Sequence, residues 1–499
     1  MNYILAHDLG TSGNKATLFR EDGTLVGSVT KAYPLYQDSA LTAEQDAEDW
    51  WRGFRDSTKE LLQDSGVAAE DVAAVSFSGQ MMGCLPVDRN GRPLRRALIW
   101  ADQRAQEEAA LLSEKIPLPE FYQIVGHRNT ASYAIQKAMW LRTHEPEIYE
   151  NTYKFLNAKD FIVSRLTGKF CTDPSDANST TCFDIHKLQW SERILSASGI
   201  DPEKLPEIVP STAFVGNVTE EAAKETGLST KTRVIMGAGD GVAANVGAGS
   251  VAPGSAYLSL GTSAWVASTS EEPILDPEMR IVCWAHAVPG LYSPNATMQY
   301  ACGSYSWLRH VIGTTEAEKA AALGISPYDV LNAEAEEAPA GAQGLYFLPH
   351  LMGERAPRWN PEAKGAYIGI TSETTRADLV RSTLEGVAYN LSLCFDILNR
   401  KKDIETVTVI GGGAQGRVWC QIFSDMFGIP VQIPENISEA NSLGAAVIAG
   451  VGAGLFPDFS AVKRFVKIRE TLTPNDAAHA RYMEGKIEFD RLYRVLFSQ

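Results

Sequence analysis

A chain of 499 residues, 44% hydrophobic and 21% charged, reads as globular and is longer than one ordinary core holds, so two domains are expected. Its net charge of −16 argues against a nucleic-acid or anionic-membrane partner, since both demand a basic face. The 7 cysteines are scattered without CxxC or Cys/His metal spacing, Met1–Asp8 lacks a basic leader, and the longest apolar stretch, Leu443 to Phe456, is too short and Gly-rich to span a membrane; the expectation is a cytoplasmic protein with reduced thiols.

Three strand patterns, 3–8, 14–19 and 25–33, are separated by Gly10-Thr-Ser-Gly13 and Glu21-Asp-Gly-Thr24 and predict a meander. A helix is expected over Ala43–Ser65, opened by acids and closed by Gly66. Val72–Phe77 reads as a buried strand whose C-terminal end presents Ser78-Gly-Gln-Met-Met-Gly83, the position where open α/β sheets hold ligands. Asp88-Arg-Asn-Gly91 is a hairpin turn that leads to Ile99-Trp-Ala-Asp-Gln-Arg104, either a structural turn with an ion pair or a set of polar groups facing a ligand. Helices follow around 105–115, 131–144 and 157–167, and the loop-rich stretch Thr172–Pro210 is expected as a cap or lid insertion. Thr232–Met236 then feeds Gly237-Ala-Gly-Asp240, a strand, tight turn and helix start that holds one carboxylate at a strand end, as an N-cap or as a working acid.

Every period breaks at Ala248–Pro253, which divides the chain into domains 1–249 and 250–499. The second half restarts as the first did: Ser259-Leu-Gly-Thr-Ser263 repeats Asp8-Leu-Gly-Thr-Ser12 at an offset of about 250 residues, the mark of a duplicated domain. Each copy follows a strand and reads as a turn of backbone N–H groups and hydroxyls suited to phosphate. A carboxylate between two such turns is the arrangement a phosphoryl transferase needs. Helix 376–400, strand 405–410, the turn Gly411-Gly-Gly-Ala-Gln-Gly-Arg417 and helix 417–427 follow, giving a second place for a nucleotide at a helix start. It is not a P-loop, for Gly-Lys-[Ser/Thr] is absent. A small-residue helix begins at Asn441, and the remainder to Gln499 reads as an amphipathic helix.

The ordered set of phrases resembles the FGGY carbohydrate kinases, nearest the xylulokinase-like branch, from end to end. They are Asp8-Leu-Gly-Thr-Ser-Gly-x-Lys15, Ser78-Gly-Gln-Met-x-Gly83, Trp100-Ala-Asp-x-Arg104, Lys137-x-x-Trp-Leu141, Gly237-x-Gly-Asp240, Ser259–Ser263, Leu348-Pro-His-Leu-x-Gly-Glu-Arg-x-Pro357, Gly365-x-Tyr-Ile-Gly-Ile370 through Leu384-Glu385, and Gly411-Gly-Gly-Ala414. The resemblance implies an α/β fold of two duplicated ribonuclease H-like (actin-like) domains flanking a catalytic cleft, with sugar held mainly by the first and ATP mainly by the second. It implies Asp240 as catalytic base and Asp8 near Mg²⁺. Gln80, Met81, Met82, Trp100, Asp102, Arg104 and Gly241 are implied for the sugar, and Thr11, Ser12, Lys15, Gly261, Thr262, Ser263, Gly303, Gly412, Gly413, Ala414 and Arg417 for the nucleotide.

The expected acceptor is a ketopentose such as D-xylulose. Two departures bear on that: Met82 stands where the branch has His, and Gly241 where it has Asn, so a polyol, a deoxysugar or another ketose competes. His7 occupies a position where an apolar residue is expected. The same architecture serves chaperone and filament ATPases, but no peptide-binding or polymerising element follows the last helix. Oligomeric state, a homodimer included, is left open by the residues.

Overall fold

A computed structural model describes residues 2–436 and 438–497. The meander is present as Tyr3–Leu9, Gly13–Arg20 and Leu25–Ala32, with Val72–Gly79 added parallel to the first strand. Arg233–Ile235 and Phe214–Asn217 complete one edge, and Ala238–Gly239 pairs with the end of Val72–Gly79, giving a seven-stranded sheet. The second sheet, also of seven strands, repeats the plan: Ser255–Leu260, Ala264–Ser268 and Tyr292–Met298 form the meander, and Thr406–Ile410 lies parallel to the first of them. This is the duplicated α/β architecture that the repeat implies.

Local chemistry fixes the ends of the elements. The first long helix is Ala47–Ser65, not Ala43–Ser65: Asp46 caps it by accepting from the Glu48 N–H, and Gly66 closes it at φ 65°. Residues Glu44–Gln45 are extended instead, because they pair with Ala97–Leu98. The stretch 172–210 carries two short helices, Pro174–Ser179 and Glu192–Ser198. The C-terminal expectation needs correction too. Between the small-residue helix Ala440–Gly452 and the last helix Asp476–Phe497, a strand Ile468–Leu472 pairs antiparallel with Val431–Pro434; Ser498 and Gln499 lie outside the described residues. All seven cysteines are free, and no helix among the described residues is long and apolar enough to cross a membrane.

His7 has a physical account here. It is fully buried, meets Asn14 through Nδ1 and the Thr58 hydroxyl through Nε2, and lies 4.2 Å from the Phe54 ring. Burial holds its pKa down at about 3, so it works as a neutral polar link between the first hairpin and the helix Ala47–Ser65.

The halves exchange helices. Asp240–Gly247 sends Ala244 and Ala248 against Tyr257, Ala267 and Ile410 of the second sheet, while Ala440–Gly452 packs Leu443, Ala446 and Val447 in one core with Ile4, Ala6 and Ala74 of the first. The helix Ala440–Gly452, on the far side of the expected 249/250 boundary, therefore serves the first sheet. The two helices cross at backbone contact: a Cβ on Gly247 would lie 1.7 Å from the Ala440 carbonyl oxygen, and one on Gly444 1.9 Å from that of Ala243. Gly444→Ala is expected to lower unfolding stability by about 2–3 kcal/mol through overpacking, read as a fall in Tm. Gly412→Ala, where an added Cβ meets nothing within 4 Å, is the control and should stay within about 0.5 kcal/mol; equal effects would show that the crossing has room.

Candidate active site

The two Gly-Thr-Ser turns each close a hairpin with a backbone bond from the glycine, the first over four residues and the second over three. The Gly10 N–H donates to the Gly13 carbonyl at 3.0 Å, and the Gly261 N–H to the Ser263 carbonyl at 2.9 Å. Ser12 and Thr262 are exposed at the tips, with Thr11 and Ser263 beside them. Lys15, opposite Asp8 in register, forms an ion pair with Glu439 at the start of the helix Ala440–Gly452. Asp8 Oδ1 accepts from the Ser78 hydroxyl at 2.8 Å and from the Asn441 amide at 3.2 Å, and no hydrogen bond to its Oδ2 is formed among the described residues. Burial raises the Asp8 pKa, while Ser78, Asn441 and Lys15 oppose the rise. The two halves thus meet at this carboxylate.

Asp240 is the first residue of its helix, with Gly239 as N-cap; its carboxylate accepts only from the neighbouring Gly241 N–H, at 2.7 Å, and so does not act as the cap. The turn that delivers it is pinned. Gly237 has φ 80°, where a Cβ would strike the Phe77 carbonyl at 2.3 Å, and the Gly239 N–H donates to the Ser175 hydroxyl at 2.8 Å. Burial, and then the negative charge of Asp8, push the Asp240 pKa up to about 7. Tyr257 supports the next residue, donating to the Gly241 carbonyl at 2.9 Å while accepting from the Trp265 indole at 2.7 Å.

On the acceptor side, Met81 is buried against Gly239, whose added Cβ would lie 2.6 Å from its sulfur. Gly241 is open, with that sulfur 4.0 Å from an added Cβ. Gln80 is buried; its amide donates to Gln45 at 2.7 Å and its Oε1 has no partner. Met82 is held at φ 66°, its N–H donating to the Ser179 hydroxyl at 3.0 Å and its carbonyl accepting from Lys137 at 2.9 Å. Trp100 is exposed and donates to the Thr11 hydroxyl at 2.9 Å, joining acceptor side to phosphate turn.

Asp102 and Arg104 take the structural reading. The buried Asp102 carboxylate accepts from the Ala43 N–H at 2.8 Å and from Arg104 through both oxygens, and Arg104 also meets Glu44 at 2.7 Å and stacks on Trp140. Their expected contact with sugar is revised to support of the wall that carries Trp100.

The glycine-rich turn opens on a cavity of about 320 Å³ lined by Gly261, Thr262, Cys302, Tyr305, Tyr328, Asn332, Gly412, Gly413 and Trp419, among others. At Gly412 an added Cβ meets nothing within 4 Å, so its bareness serves the cavity; at Gly413 a Cβ would lie 2.7 Å from Leu260 and 2.9 Å from the Cys302 sulfur, so its bareness serves packing. Gly303 faces the Tyr300 ring at 2.3 Å from an added Cβ and donates to the Thr262 carbonyl, so it too is structural. Ala414 is buried beneath the turn, and Arg417 is paired with Glu470 at 2.8 Å; neither lines the cavity.

Sequence reasoning missed Tyr305, Tyr328 and Asn332, because no phrase marks them: they converge only through the packing of the helices Cys302–Ile312 and Pro327–Glu337. It noted Lys137 only as part of a phrase. That ammonium is buried and donates to the carbonyls of Met82, Ile99 and Ser132 at 2.9, 2.7 and 2.5 Å, tying three acceptor-side loops together.

Comparison with known proteins agrees with this geometry. The FGGY family of carbohydrate kinases matches through its N-terminal domain at residues 3–247 and its C-terminal domain at 256–453. A gluconokinase of Bacillus subtilis is 31% identical over 100% of this chain and 97% of its own. A xylulose kinase of Staphylococcus epidermidis is 32% identical over 98% and 96%. The crystal structure of a gluconate kinase from Lactobacillus acidophilus superposes with a TM-score of 0.92 at 26% identity, covering 100% of this chain and 99% of that one. The chain belongs to the FGGY family of carbohydrate kinases and is an ATP-dependent sugar kinase.

Proposed function

We propose that this enzyme transfers the γ-phosphoryl group of ATP to a hydroxyl of a small open-chain sugar, with Asp240 as general base. The observation that carries the reading is Asp240 itself: a carboxylate with no neutralising cation among the described residues, set near Asp8, in a chain whose two halves each carry a Gly-Thr-Ser turn, with its pKa raised to about 7. A base of that pKa is half ionised near neutrality and accepts a hydroxyl proton as the phosphoryl group departs from ADP. The adenosine portion belongs in the cavity beside Gly412, and the phosphates between Thr11–Ser12 and Thr262–Ser263.

The residues fit Mg²⁺. Asp8 offers one hard oxygen, and the described residues contain no cluster of three or more metal-binding side chains, as suits an ion that keeps water and phosphate ligands. When bound, Mg²⁺ would neutralise phosphate charge. Acceptor identity is a separate matter from transfer. Relatives of nearly equal identity are named for gluconate and for xylulose, and the ketopentose expectation is weakened at Met82 and Gly241, which offer no polar side chain.

Asp240→Asn keeps the size of the side chain and removes the proton acceptor; kcat is expected to fall at least about 100-fold with folding intact. Sugar-dependent ADP release retained by the folded variant would sink the assignment. The pH dependence has a definite sign. Because the folded pKa of Asp240 lies above the unfolded value, the folded state favours the protonated acid, so this group's stabilisation is lost as pH rises through about 7. Asp240→Asn is therefore expected to raise Tm relative to the parent at pH 8 and not at pH 4, while kcat/KM of the parent falls below pH about 7; an unchanged Tm difference across that range would contradict it.

Gly412→Val fills space that the protein leaves open, so ATP KM should rise at least about tenfold while sugar binding without nucleotide is unaffected. Equal loss of both would place the nucleotide elsewhere.

A further inference from the structure

Two chains of contacts lead from the turn that holds Asp240 to Arg355. Along one wall, the Gly241 carbonyl meets Tyr257, Tyr257 meets Trp265, Trp265 stands opposite Thr297 on the adjacent strand, and the Thr297 carbonyl accepts from the Ala356 N–H at 3.0 Å. Along the other, Met81 packs on Gly239, and Lys137 ties the Met82 carbonyl to that of Ser132, next to Tyr133. The walls meet at Arg355, adjacent to Ala356 in sequence and within electrostatic reach of the Tyr133 phenol.

Arg355 is partly buried, and among the described residues its guanidinium makes no hydrogen bond and no ion pair; it lies 5.6 Å from the centroid of the Trp359 ring. Arg128, from the opposite wall, shares that indole at 5.2 Å and has one bond, to the Met279 carbonyl at 3.2 Å. Neither meets a carboxylate. Arg104, Arg280, Arg358 and Arg381, which are also partly buried, each hold an acid. Burial without a compensating anion holds both guanidinium pKa values below the usual arginine range. A partly desolvated guanidinium left unpaired is costly unless a ligand supplies the anion. The ATP phosphates belong to the turns beside Asp8, at the other end of the reacting hydroxyl, so that anion comes from the acceptor.

We propose that the acceptor is a sugar acid whose carboxylate binds Arg355, with Arg128 adding positive potential behind it. The inference rests on the kinase reading above and names its substrate class. The step balances: the bond from the β,γ-bridging oxygen to the γ-phosphorus breaks, the distal hydroxyl oxygen bonds that phosphorus, ADP leaves with the bridging electrons, and the hydroxyl proton passes to Asp240. A planar fork reads a carboxylate through two parallel hydrogen bonds, which a hydroxymethyl group does not match.

The test is an ADP-release assay with D-gluconate, D-glucitol and D-xylulose, the first two differing only in carboxylate against hydroxymethyl at C1. The parent is expected to show kcat/KM for D-gluconate at least about 100-fold above that for D-glucitol and above that for D-xylulose. Arg355→Met should lower the gluconate value about 100-fold and the glucitol value far less, Arg355→Lys should fall between, and Arg128→Met should give a smaller loss. A parent that prefers D-glucitol or D-xylulose overturns the proposal while leaving the kinase reading intact, as does an Arg355→Met protein of parental Tm that loses both sugars equally. Should Arg355→Met not fold, tryptophan fluorescence of the parent decides: tighter binding of D-gluconate than of D-glucitol without nucleotide supports the proposal, and equal binding overturns it. D-gluconate binding with no ADP release on any sugar would instead overturn the kinase reading alone.

Discussion

The structure depends on one contact, the crossing of the helices Asp240–Gly247 and Ala440–Gly452 where two glycines let backbones touch. Asp240–Gly247 lies between the sheets, with Val242 and Val246 toward the first and Ala244 toward the second, and Ala440–Gly452 packs on the first, so the first sheet's core includes the partner half. The N-terminal ends of the two helices carry the working groups. One begins with Asp240; the other begins beside Glu439 and Asn441, which reach Lys15 and Asp8. Two helix starts aimed at one place also supply positive potential for a phosphoryl group in transit.

Around that crossing, charge is arranged to keep Asp240 uncomfortable. Nothing cationic is placed to relieve it, and Asp8 adds a like charge. The turn that holds it is secured from behind by a buried cluster in which Lys159 meets Asp160, Asp173 and Asp176 at 2.7, 2.8 and 3.1 Å. Asp173 accepts from the Ser175 hydroxyl, which in turn accepts from the Gly239 N–H, while Ser179 of the same short helix accepts from the Met82 N–H. One six-residue helix thus fixes the base and the acceptor loop together. With three acids on one lysine, burial drives the Asp176 pKa well upward while the Lys159 ammonium opposes the rise, and the shared hydrogen bonds hold the cluster together.

Local signals were legible wherever one stretch of chain decides the outcome. The repeated Gly-Thr-Ser turns, the strand ending at Asp240, the helix Arg417–Phe427 and the glycine closing Ala47–Ser65 all follow from period and turn residues. What escaped was decided by partners far along the chain. Ala43–Gln45 left the helical pattern because Ala97–Leu98 offers a strand partner, and Ile468–Leu472 became a strand because Val431–Pro434 was waiting. At the site, Asp240 was legible from its turn, whereas the tyrosines of the nucleotide cavity and the three-carbonyl lysine were not, since their roles exist only after distant helices pack. Gly303 errs the other way. Its place in the sequence points to ligand, and the Tyr300 ring shows that protein atoms already fill the space an added Cβ would take.

The two sides of the cleft are consequently built from different material, and this bears on how each discriminates. The cavity proposed for the nucleotide joins glycine-rich turns and open space at Gly412 to a wall of Tyr305, Tyr328, Asn332 and Trp419. The acceptor side is made of side chains whose positions are locked by buried polar groups: Lys137 under Met82, Ser179 under its N–H, Tyr257 under Gly241. Locked walls transmit small changes in shape into large differences in fit, because a group that fails to meet its partner leaves a buried polar atom unsatisfied. On the proposed reading, Met82 and Gly241 offer no side-chain partner near the reacting hydroxyl and would discriminate weakly there, while the unpaired Arg355 would discriminate strongly. Selection by a site built in this way would fall on the end of the acceptor that does not react.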